Sequence, residues 1–270
     1  MSSHQPPKIT TKTLLAMKQN KEKISALTAF DFIIAKLLDE AGVEIILVGD
    51  SLSNVFQGNE STLPVTLEEM IYHTKIVRRA VKRALVVADM PFLSYQVSVE
   101  DAVRNCGRMM KETGAEAVKI EGGKNVAPIV QRLTSIGIPV MGHLGLTPQS
   151  VHQFGGYQLR AKEKEEADML FRDAKVLDES GCFSIVLEKI PSSLAAKVSR
   201  AITIPTIGIG AGMACDGQVL VTYDMLGMFE DFTPKFVRQY LHLATDIRVC
   251  FSAFKEDVKK KSFPSKEESF

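Results

Sequence analysis

The chain has 270 residues, with 33 Lys and Arg against 32 Asp and Glu, so its formal net charge is only +1. A balanced charge provides no basic surface for nucleic acid or for an anionic membrane, and it favours a small-molecule partner. Because one α/β domain commonly has this length, we expect residues 1–270 to form a single domain.

The cysteine spacing and the hydropathy of the chain indicate in which cellular compartment the protein is expected. The four cysteines are widely spaced and include no Cys-x-x-Cys pair, which disfavours both a zinc site and a dense disulfide framework. Residues 1–20 lack an apolar signal core, and no segment reaches the roughly 18 apolar residues of a membrane span. We therefore expect reduced thiols, no membrane segment and a cytoplasmic location.

A repeated unit organises the chain. An amphipathic run ends at Gly, a short apolar run follows, and a polar residue closes the unit; the clearest copies are 42–50, 114–121, 137–143 and 181–188. Each Gly suits the left-handed position that follows a helix. The predicted strands, in chain order, are 24–30, 45–50, 85–89, 117–121, 139–143, 184–188, 206–209 and 219–223.

Helix signals lie between these strands. Asp31 is predicted to cap one helix, Thr66 with Glu69 forms a capping box, and Thr233 followed by Pro234 predicts a further helix start. An extra helix near 10–20 is expected to close the floor of the fold, and the charge-rich tail 255–270 is expected to fray.

Strands that alternate with helices predict a parallel sheet. About eight short apolar strands suit closure into a (β/α)8 barrel, the TIM barrel, in which both faces of every strand are buried. An open, doubly wound sheet is the alternative.

Polar residues end five of the predicted strands: Asp50, Asp89, Glu121, His143 and Glu188. In a barrel these strand ends meet at one mouth, where four carboxylates would require a cation. Carboxylate oxygens suit Mg²⁺, which takes only one or two protein carboxylates and keeps positions for water and substrate. The alternative is that these acids cap helices or pair with surface arginines.

Lys119 and Glu121 lie two residues apart on one predicted strand, so both face the same side while Ile120 faces the other. Inside the mouth, Lys119 could bind the carboxylate of a substrate. A desolvated lysine also suggests the Schiff-base chemistry of a class I aldolase. The surrounding acids argue against this alternative, because they favour the protonated lysine.

Two further features leave alternatives open. His143 either donates a hydrogen bond into the mouth or is a structural histidine. The glycine-rich segment 208–212 is an incomplete dinucleotide fingerprint, because Met213 stands where the last glycine would be. A tight turn, or a close approach of backbone to a ligand, is more typical of such a segment in a barrel.

With these residues placed, the sequence resembles the ketopantoate hydroxymethyltransferase family. The resemblance extends in order from about Thr10 to Ala244. The motifs that carry it are residues 28–31, 48–52, 61–66, 88–92, 119–123, 142–145, 187–188 and 208–212.

The resemblance implies a Mg²⁺-dependent barrel of the phosphoenolpyruvate/pyruvate-binding type, assembled as a homo-oligomer, a decamer. Its implied reaction converts 3-methyl-2-oxobutanoate and 5,10-methylenetetrahydrofolate to 2-dehydropantoate and tetrahydrofolate, in pantothenate and coenzyme A biosynthesis. The implied residues are Asp50, Asp89 and Glu121 at the metal, Asp50, Ser51, Asp89 and Lys119 at the oxo acid, and Glu188 as the proton acceptor.

The sequence departs from the family pattern at Ser53-Asn54, at Met213-Ala214 and at Lys189. We expect these positions to lie in loops near the mouth and to alter folate contacts or assembly. The segment 53–62 is expected to act as a lid or to be a static surface loop. Two other functions stay open: a related barrel lyase or mutase that acts on another 2-oxo acid, and a non-catalytic barrel subunit.

Overall fold

The computed structural model describes residues 7–270 and divides into two compact units, of which the first ends at Leu220 and the second is Val221–Phe270. The strands are β1 Ile24–Thr28, β2 Ile45–Val48, β3 Leu85–Asp89, β4 Ala117–Glu121, β5 Val140–Gly145, β6 Ser184–Glu188, β7 Thr206–Ile209 and β8 Gly217–Leu220. The prediction that residues 1–270 form a single domain stays a prediction.

The helices of the first unit are α1 Thr11–Gln19, α2 Phe32–Glu40, α3 Leu52–Val55, α4 Leu67–Ala80, α5 Val99–Thr113, α6 Ala127–Ser135, α7 Val151–Phe154, α8 Lys164–Glu179 and α9 Ser192–Ala201. The second unit contains α10 Thr222–Met225 and α11 Leu243–Lys259. Helix α1 occupies the segment for which an extra helix is predicted, and α11 includes the start of the segment 255–270. None of the helices in residues 7–270 has both the length and the apolar character that a membrane crossing needs.

The eight strands form a closed barrel in chain order, and every neighbouring pair is parallel, including β8 with β1. The predicted (β/α)8 barrel is thereby confirmed, and the open-sheet alternative is wrong. Closure removes both sheet edges, so the strand backbones pair with one another all round the barrel.

Local capping explains where several helices begin. The Asp31 carboxylate accepts hydrogen bonds from the backbone of Ile33 and Ile34 at 2.8 and 2.9 Å, which confirms the predicted N-cap of α2. Thr66 and Glu69 cap α4 reciprocally, as predicted.

Some predicted boundaries differ from the structure: β1 and β2 end at Thr28 and Val48, two residues before their predicted ends, and β5 is Val140–Gly145 where 139–143 is predicted. Two predictions for the chain beyond β7 are wrong. The last strand begins at Gly217, where it pairs with Ile24, and it ends before Thr222, which begins α10. The helix predicted at Thr233-Pro234 is absent from this described segment, because the Pro234 carbonyl accepts from Val237 N at 2.9 Å and closes only a turn.

The barrel interior changes from apolar to polar along the strands. Alternate residues point inward and form a buried cluster, to which Leu14 of α1 also belongs. Helix α1 thus closes one end of the barrel. Towards the other end the same inward positions become polar: Val87 is followed by Asp89, Ala117 by Lys119 and Glu121, Met141 by His143, and Val186 by Glu188.

Closure of the barrel leaves no room for a side chain at Gly217. A Cβ atom there would lie 2.4 Å from the carbonyl oxygen of Ile24 on the paired strand β1. We expect Gly217→Ala to lower the free energy of unfolding by about 1–3 kcal/mol or more, because the two strands must separate. Urea denaturation measures this change.

The matched control is Gly107→Ala on α5, where a Cβ atom would meet open space. Alanine there should raise the free energy of unfolding by about 0.5–1 kcal/mol, because glycine loses more backbone entropy in a helix. Equal effects of the two substitutions would contradict the steric account of strand closure.

Candidate active site

Six of the residues singled out in the sequence meet at the carboxyl-terminal mouth of the barrel. Asp89 ends β3 and pairs in register with Lys119, while Glu121 on β4 pairs with His143 on β5. Glu188 ends β6. Asp50 lies in the turn after β2, because the strand ends two residues before it.

Two sets of close charged contacts organise this mouth. Lys119 Nζ lies 2.9 Å from Asp89 Oδ1, and both side chains are almost fully buried. His143 lies between two acids, with Nδ1 3.3 Å from Glu121 Oε1 and Nε2 3.2 Å from Glu188 Oε2. Of the two open roles for His143, the polar contact into the mouth is the one that these distances support.

The ionised form of Asp50 is disfavoured at this mouth. Burial raises the pKa of Asp50 to about 8, and the neighbouring acids Asp89 and Glu121 add to this effect. Burial also raises the pKa of Asp89, although Lys119 opposes the shift. The two carboxylates thus lie where a positive charge would stabilise their ionised forms.

Lys119 is held in its protonated form. Burial alone would lower the pKa of Lys119, but the surrounding acids, with Asp89 first, raise it above its usual range. A Schiff base requires a neutral amine, so this environment disfavours the class I aldolase alternative and suits the binding of an anionic group.

His143 experiences opposing influences. Burial and the nearby Lys119 lower the pKa of His143, whereas the close carboxylates of Glu121 and Glu188 raise it, and the resulting pKa is about 9. A protonated imidazole is attracted to both carboxylates, so His143 lies where it can partly offset the charges of Glu121 and Glu188.

Ser51 follows Asp50 and precedes α3. Its hydroxyl makes no N-cap hydrogen bond to that helix, and the residue is half-buried. A Cβ atom at Gly49 would lie 3.0 Å from Ser51 Oγ and 3.6 Å from Asp89 Oδ2, so a glycine leaves space beside these two groups. The arrangement places a hydroxyl at the edge of the acidic cluster.

Three residues of the site carry no sequence signal that we recognised: Tyr95, Gln96 and Gln149. Gln149 is buried in the turn after β5, and its Nε2 donates to Asp50 Oδ2 at 2.9 Å. The fully buried Tyr95 hydroxyl lies 2.9 Å from Gln149 Oε1. These residues are uncharged and lie on loops, so neither strand periodicity nor an unbalanced charge indicates them.

The segment 53–62 consists of the end of α3 and a loop that bonds back to it. The buried Ser53 hydroxyl donates to the Ser61 carbonyl at 2.7 Å, and Asn54 Nδ2 donates to the Asn59 carbonyl at 2.9 Å. Ser53 and Asn54, where the sequence departs from the family pattern, thus lie in α3 and not in a loop, and both bond to the loop that follows it. The lid role of this segment stays a prediction.

The glycine-rich segment 208–212 turns the chain and packs against a helix. Gly212 has a φ of +85°, and a Cβ atom there would lie 2.5 Å from Ser192 Cβ at the start of α9. Of the roles left open for this segment, the tight turn explains these contacts.

The expectation that Met213-Ala214 lies near the mouth is wrong. The Met213 carbonyl accepts from Lys23 Nζ at 3.2 Å, and Lys23 immediately precedes β1 at the opposite end of the barrel. The reason is that residues 210–216, all of which the structure describes, form no helix between β7 and β8 and return along the barrel wall.

The chemistry of the donor set fits a hard divalent cation. Asp50, Asp89 and Glu121 are buried together, and burial and mutual repulsion disfavour the ionised form of Asp50. Within residues 7–270, no group of three or more His, Cys, Asp or Glu side chains is arranged so that it could hold a metal ion by itself. Mg²⁺ does not require one, because it binds through one or two carboxylates and retains water and substrate oxygens.

A closed parallel barrel with acids, a lysine and a histidine on the carboxyl ends of its strands defines a (β/α)8-barrel enzyme. The family model described as ketopantoate hydroxymethyltransferase matches residues 8–266. The chain belongs to the ketopantoate hydroxymethyltransferase family.

Relatives named 3-methyl-2-oxobutanoate hydroxymethyltransferase match along their whole length. The protein from Pelodictyon phaeoclathratiforme is 58% identical over 97% of this chain and 96% of its own. The protein from Chlorobaculum tepidum is 57% identical over 100% and 99%, and that from Flavobacterium johnsoniae is 55% identical over 97% of each chain.

Solved structures with the same fold have little sequence in common with this chain. The structure of 2,3-dimethylmalate lyase, a PEP mutase/isocitrate lyase superfamily member, has a TM-score of 0.61 at 16% identity and covers 98% of this chain and 93% of its own. Phosphoenolpyruvate phosphomutase from Streptomyces platensis subsp. rosaceus has a TM-score of 0.62 at 14% identity, with 93% and 88% covered. This similarity concerns the fold alone.

Proposed function

We propose that this protein transfers a hydroxymethyl group from 5,10-methylenetetrahydrofolate to 3-methyl-2-oxobutanoate, giving 2-dehydropantoate and tetrahydrofolate. The observation that carries the proposal is the buried group of Asp50, Asp89, Lys119 and Glu121 beside Glu188 at the barrel mouth. Membership of the hydroxymethyltransferase family supports the same reaction.

Asp50 and Asp89 would hold Mg²⁺, with Glu121 as the third acid of the metal site. When bound there, Mg²⁺ supplies Lewis-acid polarisation of the substrate's keto group. Lys119 would bind the carboxylate of the oxo acid, because its buried ammonium is kept charged by Asp89. Ser51 would donate its hydroxyl to the same substrate from the edge of the cluster.

Glu188 would remove the proton from C3 of the oxo acid. Its side chain is 16% exposed, more than the other acids at the mouth, and Oε2 lies 3.2 Å from His143 Nε2. The histidine would hold the carboxylate in position while the other oxygen faces the substrate. Both carbon–nitrogen bonds of the methylene bridge would be hydrolysed, so that water supplies the oxygen of a formaldehyde-level carbon and the two nitrogens are left as tetrahydrofolate. The carbanion at C3 would add to this carbon, and the oxygen would take up a proton to give the hydroxymethyl group of 2-dehydropantoate.

Two rival functions differ from the proposed transfer in what they would act on or bind. A lyase or mutase of the same fold would act on a related 2-oxo acid without a folate, and a non-catalytic barrel would bind no substrate. The hydroxymethyl transfer explains both the acid cluster and the separate base at Glu188, whereas a binding subunit requires neither.

Proton exchange at C3 tests the first half of this proposal. We expect the wild-type protein to exchange the C3 proton of 3-methyl-2-oxobutanoate for deuterium in D2O with Mg²⁺ and without folate, as followed by proton NMR. Chelation of the cation should reduce the exchange rate by at least about 100-fold, because the loss of several kcal/mol of stabilisation has this consequence.

A second reaction completes the test. Addition of methylenetetrahydrofolate should convert the oxo acid to 2-dehydropantoate, detected by mass spectrometry. Exchange without this product would favour a lyase or mutase, and the absence of exchange in metal-loaded protein would contradict the proposal.

We further propose a homo-oligomer in the cytoplasm. Apolar side chains of α2 are exposed, with Ile33 at 68% and Leu37 at 54%, and on α11 Phe251 is 70% exposed, which supports contact with further copies of the chain. The free cysteines Cys106, Cys182, Cys215 and Cys250 fit a reducing compartment. The decamer stays a prediction.

A further inference from the structure

We infer that Gln149 is a positioning residue for the metal site, and that Tyr95 fixes the direction in which its amide points. The inference rests on the proposed function, because it assigns a role toward the cation that Asp50 and Asp89 would hold. It concerns two uncharged residues that bond directly to Asp50 and Glu121 of the acidic cluster.

Gln149 uses the whole hydrogen-bonding capacity of its buried side chain. Nε2 donates to Asp50 Oδ2 and to the Met90 carbonyl, both at 2.9 Å. Oε1 accepts from the Tyr95 hydroxyl at 2.9 Å and from Gln96 Nε2 at 3.0 Å. An amide has two donor hydrogens and two acceptor lone pairs, so no bond is left unmade.

The chemistry of the partners determines which way the amide points. Met90 contributes a carbonyl oxygen, which can only accept, and the adjacent Asp50 contributes a carboxylate oxygen. A reversed amide would direct its own oxygen at these two oxygens and would lose both bonds. The NH₂ end of Gln149 is therefore fixed on Asp50.

Tyr95 enforces the same direction from the other end. Its hydroxyl oxygen accepts from the Glu121 backbone N–H at 3.0 Å, so its single proton is free to point at Gln149 Oε1. A second acceptor, the Glu121 carbonyl, is more distant at 3.3 Å. Each group in this chain therefore donates to the next: the Glu121 N–H donates to Tyr95, Tyr95 donates to Gln149, and Gln149 donates to Asp50.

Gln149 also joins Asp50 to the second acid of the cluster. Its backbone N–H donates to Glu121 Oε2 at 3.1 Å. One residue therefore occupies an oxygen on each of two carboxylates and directs the remaining oxygens, Asp50 Oδ1 and Glu121 Oε1, away from itself. Neighbours that orient ligands in this way commonly change metal affinity by about 10- to 100-fold when they are replaced.

The experiment measures Mg²⁺ binding by isothermal titration calorimetry, without substrate. Gln149→Met should weaken Mg²⁺ binding by about 10-fold or more. Tyr95→Phe should weaken it by about 3- to 5-fold, because Gln149 keeps its bonds to Asp50 and Met90 and loses only one constraint. In the Gln149→Met background, Tyr95→Phe should have no further effect on the Mg²⁺ dissociation constant.

Ser199→Ala is the matched control, since it removes a buried hydroxyl that bonds Thr206 Oγ1 at 2.6 Å outside this network. It should lower the Tm without changing Mg²⁺ affinity. A purely structural role for Gln149 and Tyr95 would give the same result in their variants and would overturn the inference. If Gln149→Met does not fold, Tyr95→Phe alone decides the question.

The wild-type protein separates this inference from the proposed function. If the wild-type protein binds no Mg²⁺, both the proposed metal chemistry and the positioning role are overturned. If it binds Mg²⁺ and the Tyr95 and Gln149 variants bind equally well, only the positioning role is overturned. If Tyr95→Phe weakened Mg²⁺ binding equally in the wild-type protein and in Gln149→Met, the two residues would act separately. This result would also overturn the positioning role.

Discussion

Glu188→Gln should abolish exchange of the C3 proton of 3-methyl-2-oxobutanoate while Mg²⁺ binding is retained. Glutamine has nearly the same shape but no basic oxygen, so proton removal should slow by about 100- to 10,000-fold. The measurement is deuterium exchange followed by proton NMR, with Mg²⁺ affinity measured separately by calorimetry.

Glu179→Gln is a matched control, because that carboxylate ends α8 and is exposed. It should change neither exchange nor metal binding. Near-normal exchange in Glu188→Gln would remove Glu188 from the role of base. His143 would then be the next group to test, since its Nε2 lies 3.2 Å from the Glu188 carboxylate.

The barrel and most of its polar mouth could be predicted from the sequence because their signals are local. Alternation along a strand places Lys119 and Glu121 on one face, and the structure has both of them buried at the mouth. Glycine after a helix was equally informative, since Gly114 caps α5 with a left-handed backbone.

The contacts between these residues could not be predicted in this way. That Asp89 pairs with Lys119 while Asp50 bonds Gln149 depends on side-chain geometry between segments far apart in the chain. Tyr95 and Gln149 were missed for the same reason, because an uncharged loop residue acquires its role only from neighbours that the fold brings together. The position of Met213 after a predicted strand led to one wrong prediction. The residue was expected near the mouth, but it lies beside Lys23 at the other end of the barrel.

The different partners of Asp50 and Asp89 lead to the second large effect. The sequence alone suggests that the two acids behave alike, and both Asp50→Asn and Asp89→Asn should indeed weaken Mg²⁺ binding strongly. In the absence of the cation, however, their effects on stability should be opposite. Asp89 neutralises the buried Lys119, whereas burial and the neighbouring acids Asp89 and Glu121 disfavour the ionised form of Asp50.

Asp89→Asn should lower the free energy of unfolding of the metal-free protein by about 3–5 kcal/mol, because it leaves a buried ammonium without its partner. Asp50→Asn should raise it at neutral pH, because folding no longer has to protonate a carboxyl that is ionised in the unfolded chain and whose pKa is raised to about 8 in the fold, and because Gln149 can still donate to the amide oxygen. Urea denaturation with a chelator present measures both changes.

Repeating the denaturation with Mg²⁺ separates ligand binding from packing. At a concentration of 100 times its dissociation constant, a cation that binds only the native state adds about 2.7 kcal/mol to the free energy of unfolding. The wild-type protein should gain this amount, and both variants should lose the gain. If Asp50→Asn were destabilising without metal, the raised pKa of Asp50 would not mark a cost to folding that the cation relieves.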